Sequence, residues 1–136
     1  MLYRFLRPDE NYHSGLSARN TNSDISVFDH VINGSINGSN QGWWSRYIST
    51  CGSLDAVKTF RRKSVGAMGY IVQISVDNLS VDIIDLRTQQ NRNNYYTQMN
   101  SKDDIDKFNY YANLFEEVLL VGNVPASHIQ LVVEFN

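Results

Sequence analysis

Apolar residues recur along this chain in short blocks, and their spacing alternates between that of strands and that of helices. LYRFLR (2–7) is a short strand pattern that Pro8 stops, and PDENYHSGLSARNTNS (8–23) reads as loop, turning at Gly15. SDISVFDHVING (23–34) places Ile25, Phe28, Val31 and Ile32 at helical spacing, with Ser23 as N-cap and Gly34 as C-cap. GSINGSNQG (34–42) reads as a flexible loop and WWSRYIST (43–50) as an aromatic, β-branched strand. GSLDAVKTFRRK (52–63) is a second helix, capped by Ser53, with Lys and Arg in its last turn where the helix dipole favours them. GYIVQISV (69–76) and SVDIIDL (80–86) are two more strands, and RTQQNRNNYYTQMNSKDD (87–104) is polar and reads as loop. DDIDKFNYYANLF (103–115) forms a helix, FEEVLLVGNVP (115–125) a strand ending in a turn, and HIQLVVEF (128–135) a last strand.

Helices early and strands late describe an α+β fold with antiparallel pairing, not a βαβ alternation. No stretch rich in Pro, Gly or Ser divides the chain, so residues 1–136 form a single domain, long enough to bury a core without staples. With one cysteine, Cys51, there is no internal disulfide. A net charge of −2 argues against a protein held to nucleic acid mainly through phosphates, though not against a transient visit to RNA. No apolar run reaches the length of a membrane span, no signal-peptide pattern opens the chain, and no membrane partner is expected. A strand pattern from the second residue fits either a chain that begins there or a domain cut from a larger protein.

The strand FEEVLLV raises the chemical question. Strict alternation puts Phe115, Glu117, Leu119 and Val121 on one face and Glu116, Val118 and Leu120 on the other. On either face a carboxylate opens an apolar surface. Other candidates have plain structural readings when taken singly. Arg4 fits a snorkelling or edge-strand arginine, and Ser49-Thr50 a hydroxyl pair helping to cap the next helix. Glu117 fits an exposed strand residue, leaving Glu116 as the one that matters. His13, His30 and His128 show no metal spacing and read as surface or capping residues, and Cys51 as a small buried side chain.

Their order along the chain adds to this. LYRFLRPDE near the start, YISTC before a helix and EEVLLVGNVPASHI near the end resemble the mono-ADP-ribosyltransferases of the cholera and pertussis toxin type. That family has an arginine in an opening YR strand with a nearby RP, a Ser-Thr-Ser strand, and a glutamate before a strand that ends in a turn of the kind formed here by Val124-Pro125-x-x-x-Ile129. Arg4, Ser49 and Glu117 occupy the three positions, in order, over nearly the whole chain, with little identity between them. The resemblance implies two packed, mainly antiparallel sheets forming a cleft for NAD, flanked by short helices, and no metal. It implies that Glu117 stabilises the oxocarbenium-like ribose as the nicotinamide bond breaks, that Ser49 orients Glu117, and that Arg4 meets a phosphate of NAD. Phe5 and Thr50 then belong to the NAD site, Phe60 either stacks on nicotinamide or packs in the core, and Arg61, with Arg62, reaches the diphosphate.

Two positions depart from the family pattern. Cys51 replaces the third residue of Ser-Thr-Ser. Phe115 stands two before Glu117, where relatives that modify arginine carry Glu and several with other acceptors carry Gln. Phenylalanine can neither deprotonate nor hydrogen-bond an acceptor, which makes ordinary arginine modification the less expected outcome. Phe115, Tyr110 and Tyr111 are instead expected to form an exposed aromatic platform for a macromolecular acceptor, protein rather than RNA, with translation components among the family's targets. The resemblance also implies a delivered antibacterial effector, such as the toxin domain ending an Rhs-type polymorphic chain, acting in the cytoplasm of the target cell and plugged by a cognate immunity protein. NAD glycohydrolase activity, with water as acceptor, and a degenerate non-enzymatic binding domain are the rival readings.

Overall fold

In this computed structural model residues 1–37, 42, 44–64 and 68–135 are described, with the backbone alone for 34–37. Among the described residues six strands run in the order β1 (Leu2–Phe5), β2 (Tyr47–Cys51), β3 (Gly69–Ile74), β4 (Asp82–Asp85), β5 (Glu117–Val121) and β6 (Ile129–Phe135). Four α-helices accompany them among the described residues: α1 (Val27–Asn37), α2 (Leu54–Lys63), α3 (Gln89–Arg92) and α4 (Lys102–Leu114). The expected α+β class with antiparallel pairing is what the chain forms. No helix among the described residues is long and apolar enough to cross a membrane.

The strands lie in one sheet of order β4-β5-β2-β1-β3-β6, with every neighbouring pair antiparallel. The expectation of two separate packed sheets is corrected to this single sheet, which nevertheless has a seam. The outer ladders are long, whereas β1 meets β2 at the single pair Tyr3–Cys51. Next to that pair the Ser49 carbonyl takes a hydrogen bond from the Arg4 side chain, Nη1 to O at 2.6 Å. A guanidinium thus stands in the gap where β1 and β2 part.

Alternation along β5 works as expected once the strand has begun. Val118 and Leu120 join a core with Leu2, Ile48, Val72 and Ile74, while Leu119 faces Phe28, Phe108 and Ala112 of α1 and α4 on the other side. Burying both faces explains why this strand reads as a continuous apolar run. A third cluster lies under α2, where Val57 packs with Cys51, Ala56, Ile71 and Phe115.

Cap chemistry decides where the helices begin. Ser53 accepts from the Ala56 amide and starts α2 as its spacing predicts, while Ser101 starts α4 by accepting from Asp104. In α1 the capping hydroxyl is Ser26, which accepts from the Asp29 amide at 3.0 Å, and not Ser23, which bonds the Ile25 amide in a local turn. Gly34 lies inside α1 rather than ending it, and Trp44 and Ser45 precede β2 rather than belonging to it. Of the expected loop 34–42, residues 34–37 are the last turn of α1, and residues 38–41, with Trp43, fall outside the described residues. Within the expected loop 87–104 the chain forms α3, started by Thr88 and held by the buried Arg92, which donates to the Leu86 carbonyl and to Asn109.

Candidate active site

The seam between β1 and β2 opens into a cleft of about 380 Å³, lined among others by Arg4, Phe5, Ser49, Thr50, Phe60 and Glu117. That volume falls in the range, about 300–1,000 Å³, that encloses a small organic ligand. The three anchors expected from the sequence converge there. Glu117 is only 8% exposed although it carries a carboxylate, and it sits opposite Cys51 in the β2–β5 ladder.

Burial holds the Glu117 carboxyl well above the ordinary range, at about 7. The Ser49 hydroxyl, hydrogen-bonded to it, and the Arg4 charge pull the other way. Burial, reinforced by the Glu117 charge, also pushes the Cys51 thiol upwards, so it is no nucleophile at neutral pH.

Arg4 is fixed from two sides. Its Nε and Nη2 donate to the Glu10 carboxylate at 3.1–3.3 Å and its Nη1 to the Ser49 carbonyl, so three of its five N–H groups are used within the protein. Glu10 Oε1 also accepts the Arg7 backbone amide at 2.8 Å. The guanidinium therefore holds β1, β2 and the loop after β1 in register, and it projects its charge onto Glu117.

His30, read from the sequence as a surface or capping residue, lines the cleft instead. Its Nε2 lies 2.7 Å from Ser49 Oγ and its Nδ1 2.6 Å from Ser45 Oγ. With the imidazole neutral and its Nε2 the donor, the one hydroxyl proton of Ser49 is left for Glu117 and Nδ1 accepts from Ser45. Burial, with the Arg4 charge, lowers the pKa of His30 to about 4 and keeps it neutral. Nothing in the spacing of His30 along α1 advertises this, because its two serines come from the following segment and from β2.

The remaining expected residues divide. Phe5, Thr50 and Phe60 line the cleft, and the Thr50 hydroxyl donates to the Val118 carbonyl at 2.6 Å, tying β2 to β5. Arg61 is not a cleft residue, for its guanidinium stacks 3.6 Å from the Phe135 ring centroid, and Arg62 is exposed and bonds Thr59. Along the helix Arg61 points about 100° and Arg62 about 200° away from Phe60. Arg7, Arg19 and Trp44 line the cleft unannounced, and the Arg19 guanidinium lies 5.1 Å over the Trp44 ring.

The expected exposed platform of Phe115, Tyr110 and Tyr111 does not form as such. Phe115 is 6% exposed, edge-on to Phe60 and stacked with Tyr111, because it caps α4 rather than opening β5. Tyr111 reaches the cleft wall, while Tyr110, 52% exposed, stacks on its outer side. Between Phe115 and Glu117 the backbone of Glu116 is left-handed, φ 46°, a conformation that costs a non-glycine residue about 1–3 kcal/mol unless its surroundings impose it. The Glu116 side chain turns away from the cleft to accept the Ser53 hydroxyl at 2.7 Å.

No family model matches the chain, and no curated protein matches it. Among solved structures the chain is similar to one named EcPltA, with a TM-score of 0.57 and 16% identity over 94% of this chain and 71% of that one. At that identity the likeness concerns the fold alone.

Proposed function

We propose that this chain is a mono-ADP-ribosyltransferase domain that cleaves the bond between nicotinamide and ribose in NAD, with the fold of the toxin-type ADP-ribosyltransferases. The observation that carries the reading is Glu117, an enclosed carboxylate in an organic-ligand-sized cleft, hydrogen-bonded by Ser49 and facing the charge of Arg4. When the C1′–N bond of NAD breaks, the electron pair leaves with nicotinamide, which departs neutral, and the ribose becomes an oxocarbenium cation. A carboxylate held in a dry cleft stabilises that cation far more than one in water, and being preorganised it needs no rearrangement at the moment of reaction. The acceptor then adds its electron pair to C1′ and gives up a proton. The cationic nicotinamide of the bound substrate favours the ionised form of Glu117, against the burial that raises its pKa. The Ser45–His30–Ser49 chain aims the Ser49 proton at Glu117, and Arg7 and Arg19 bring positive charge to the same cleft for the diphosphate.

A specific observation favours a second reading, NAD glycohydrolase. Phe115 is buried and Glu116 is bonded to Ser53, so neither presents a base beside Glu117 for a macromolecular nucleophile, and water needs no docking surface. Incubation with adenine-labelled NAD and a bacterial lysate separates the two. Label on protein or RNA supports transfer, and free ADP-ribose alone supports hydrolysis. The role as a delivered effector with an immunity partner rests on the resemblance, and inhibition of NAD cleavage by a stoichiometric protein partner tests it. Persistent turnover in Glu117→Gln would defeat the role given to Glu117 in both enzymatic readings, and no NAD cleavage by the wild type would leave the non-enzymatic one.

A further inference from the structure

We infer that Glu116 is a positioning residue for Glu117: its side chain clasps the start of β5 to the N-terminus of α2 and so fixes where the Glu117 carboxylate points. The chain passes from α4 to β5 with no loop between them. Leu114 ends the helix, Phe115 caps it, Glu116 reverses direction at φ 46° and Glu117 opens the strand. A left-handed residue just past a helix C-terminus is ordinarily Gly or Asn. A glutamate there signals that its side chain is used.

The contacts of Glu116 bear this out. Its Oε2 accepts the Ser53 hydroxyl at 2.7 Å, its carbonyl accepts the Gly52 amide at 2.8 Å, and its own amide donates to the Asn113 carbonyl at 3.3 Å. Because Ser53 spends its proton on Glu116, its lone pairs are left to cap the Ala56 amide at 3.1 Å. One residue thereby joins the end of α4, the turn after β2 and the first turn of α2, the helix that carries cleft-lining Phe60. The space is close: a Cβ on Gly52 would come within 2.8 Å of Arg87 Cδ and 3.3 Å of Glu116 Cβ. Arg87 is itself held by Asp85 at 2.7 Å, which walls the clasp on its outer side.

The catalytic half of this inference rests on the NAD-cleaving reading; the structural half does not. The test compares Glu116→Gly and Glu116→Gln with the wild type. Glycine keeps, and even favours, the left-handed backbone but removes the clasp, while glutamine keeps an acceptor oxygen for Ser53 and removes only the charge. Two readouts are taken: kcat and KM for nicotinamide release, and the titration midpoint of the Glu117 carboxyl followed by carbon NMR on the protein without substrate. For Glu116→Gly, kcat should fall about tenfold to a hundredfold with KM little changed, as for a misplaced catalytic group. Its Glu117 midpoint should drop by about one pH unit as the strand start loosens and water enters. Glu116→Gln should stay near the wild type in both. Equal midpoints in Glu116→Gly and the wild type would overturn the clasp, and so would a loss in Glu116→Gln as large as that in Glu116→Gly. A wild type that releases no nicotinamide would defeat the NAD-cleaving reading alone, and the NMR titration would still decide the role of Glu116.

Discussion

Replacing Glu117 by glutamine should change how stability depends on pH, and the change can be worked from the two buried titrating groups of the cleft. The Glu117 carboxyl titrates near 4.5 in the unfolded chain and at about 7 in the folded one, because burial disfavours its charge. The folded state therefore holds this proton more tightly. Its contribution is fully present below 4.5 and is lost as pH rises through 7, a separation of about 2.5 pH units, or about 3 kcal/mol. His30 has the opposite sign. Its pKa falls from 6.5 to about 4, so its contribution is present above 6.5 and is lost as pH falls towards 4, again by about 3 kcal/mol. Between 4.5 and 6.5 the two slopes nearly cancel in the wild type. Asp9 and Asp85, both held below their ordinary range mainly by arginine partners, act below that window and are common to both proteins. Glu117→Gln removes one slope. Urea unfolding from pH 4 to pH 8 should show wild-type stability nearly level up to 6.5, while that of the variant climbs by about 3 kcal/mol. Relative to the wild type, the variant should gain about 3 kcal/mol between pH 4 and pH 8. Any constant difference comes from the amide's hydrogen bonds and does not affect the slope. A difference between the two proteins that stays flat across this range would refute the enclosed, proton-retaining Glu117.

Nicotinamide release by the wild type should rise with pH through about 7 in kcat/KM and then level, as the free enzyme's Glu117 ionises, and a profile flat from pH 5 to 8 would contradict this. Arg4→Lys should lower stability by about 1–3 kcal/mol, since an ammonium cannot bond both Glu10 and the Ser49 carbonyl, and should weaken NAD binding by calorimetry; unchanged values in both would remove Arg4 from the site. Phe115→Ala should cost about 3–5 kcal/mol in urea unfolding and reduce nicotinamide release and acceptor labelling together, whereas a selective loss of labelling at unchanged stability would restore Phe115 as an acceptor contact.

Strand and helix positions were largely legible because apolar spacing reports burial directly, as in β5, where Leu119 and its neighbours fill both faces. Arg4, Ser49 and Glu117 were legible as a set, and the fold brings all three to one cleft. What could not be read depended on single dihedrals or on partners distant in sequence. Alternation carried Phe115 into the strand because nothing in FEE shows that Glu116 would adopt φ 46° and end the alternation there. Helix α3 carries no apolar stripe, being held by the capping hydroxyl of Thr88 and the buried Arg92, so polar residues alone read as loop. His30 is identified by Ser45 and Ser49, fifteen and nineteen residues away, and Glu10 by Arg4 across a proline turn. Ser26 and Ser23 offer the same hydroxyl to the start of α1, and the two are told apart only by which amide each one meets.

The central claim is that Glu117 stabilises a ribosyl cation. The most direct measurement is release of nicotinamide from NAD labelled in its nicotinamide ring, by the purified wild type and by Glu117→Gln at pH 8, where the wild-type carboxylate is ionised. The wild type should release nicotinamide, and the variant should do so a hundredfold or more slowly, about 2.7–4 kcal/mol of lost transition-state stabilisation, while still binding NAD. No release by the wild type, or release by Glu117→Gln at the wild-type rate, would contradict the claim.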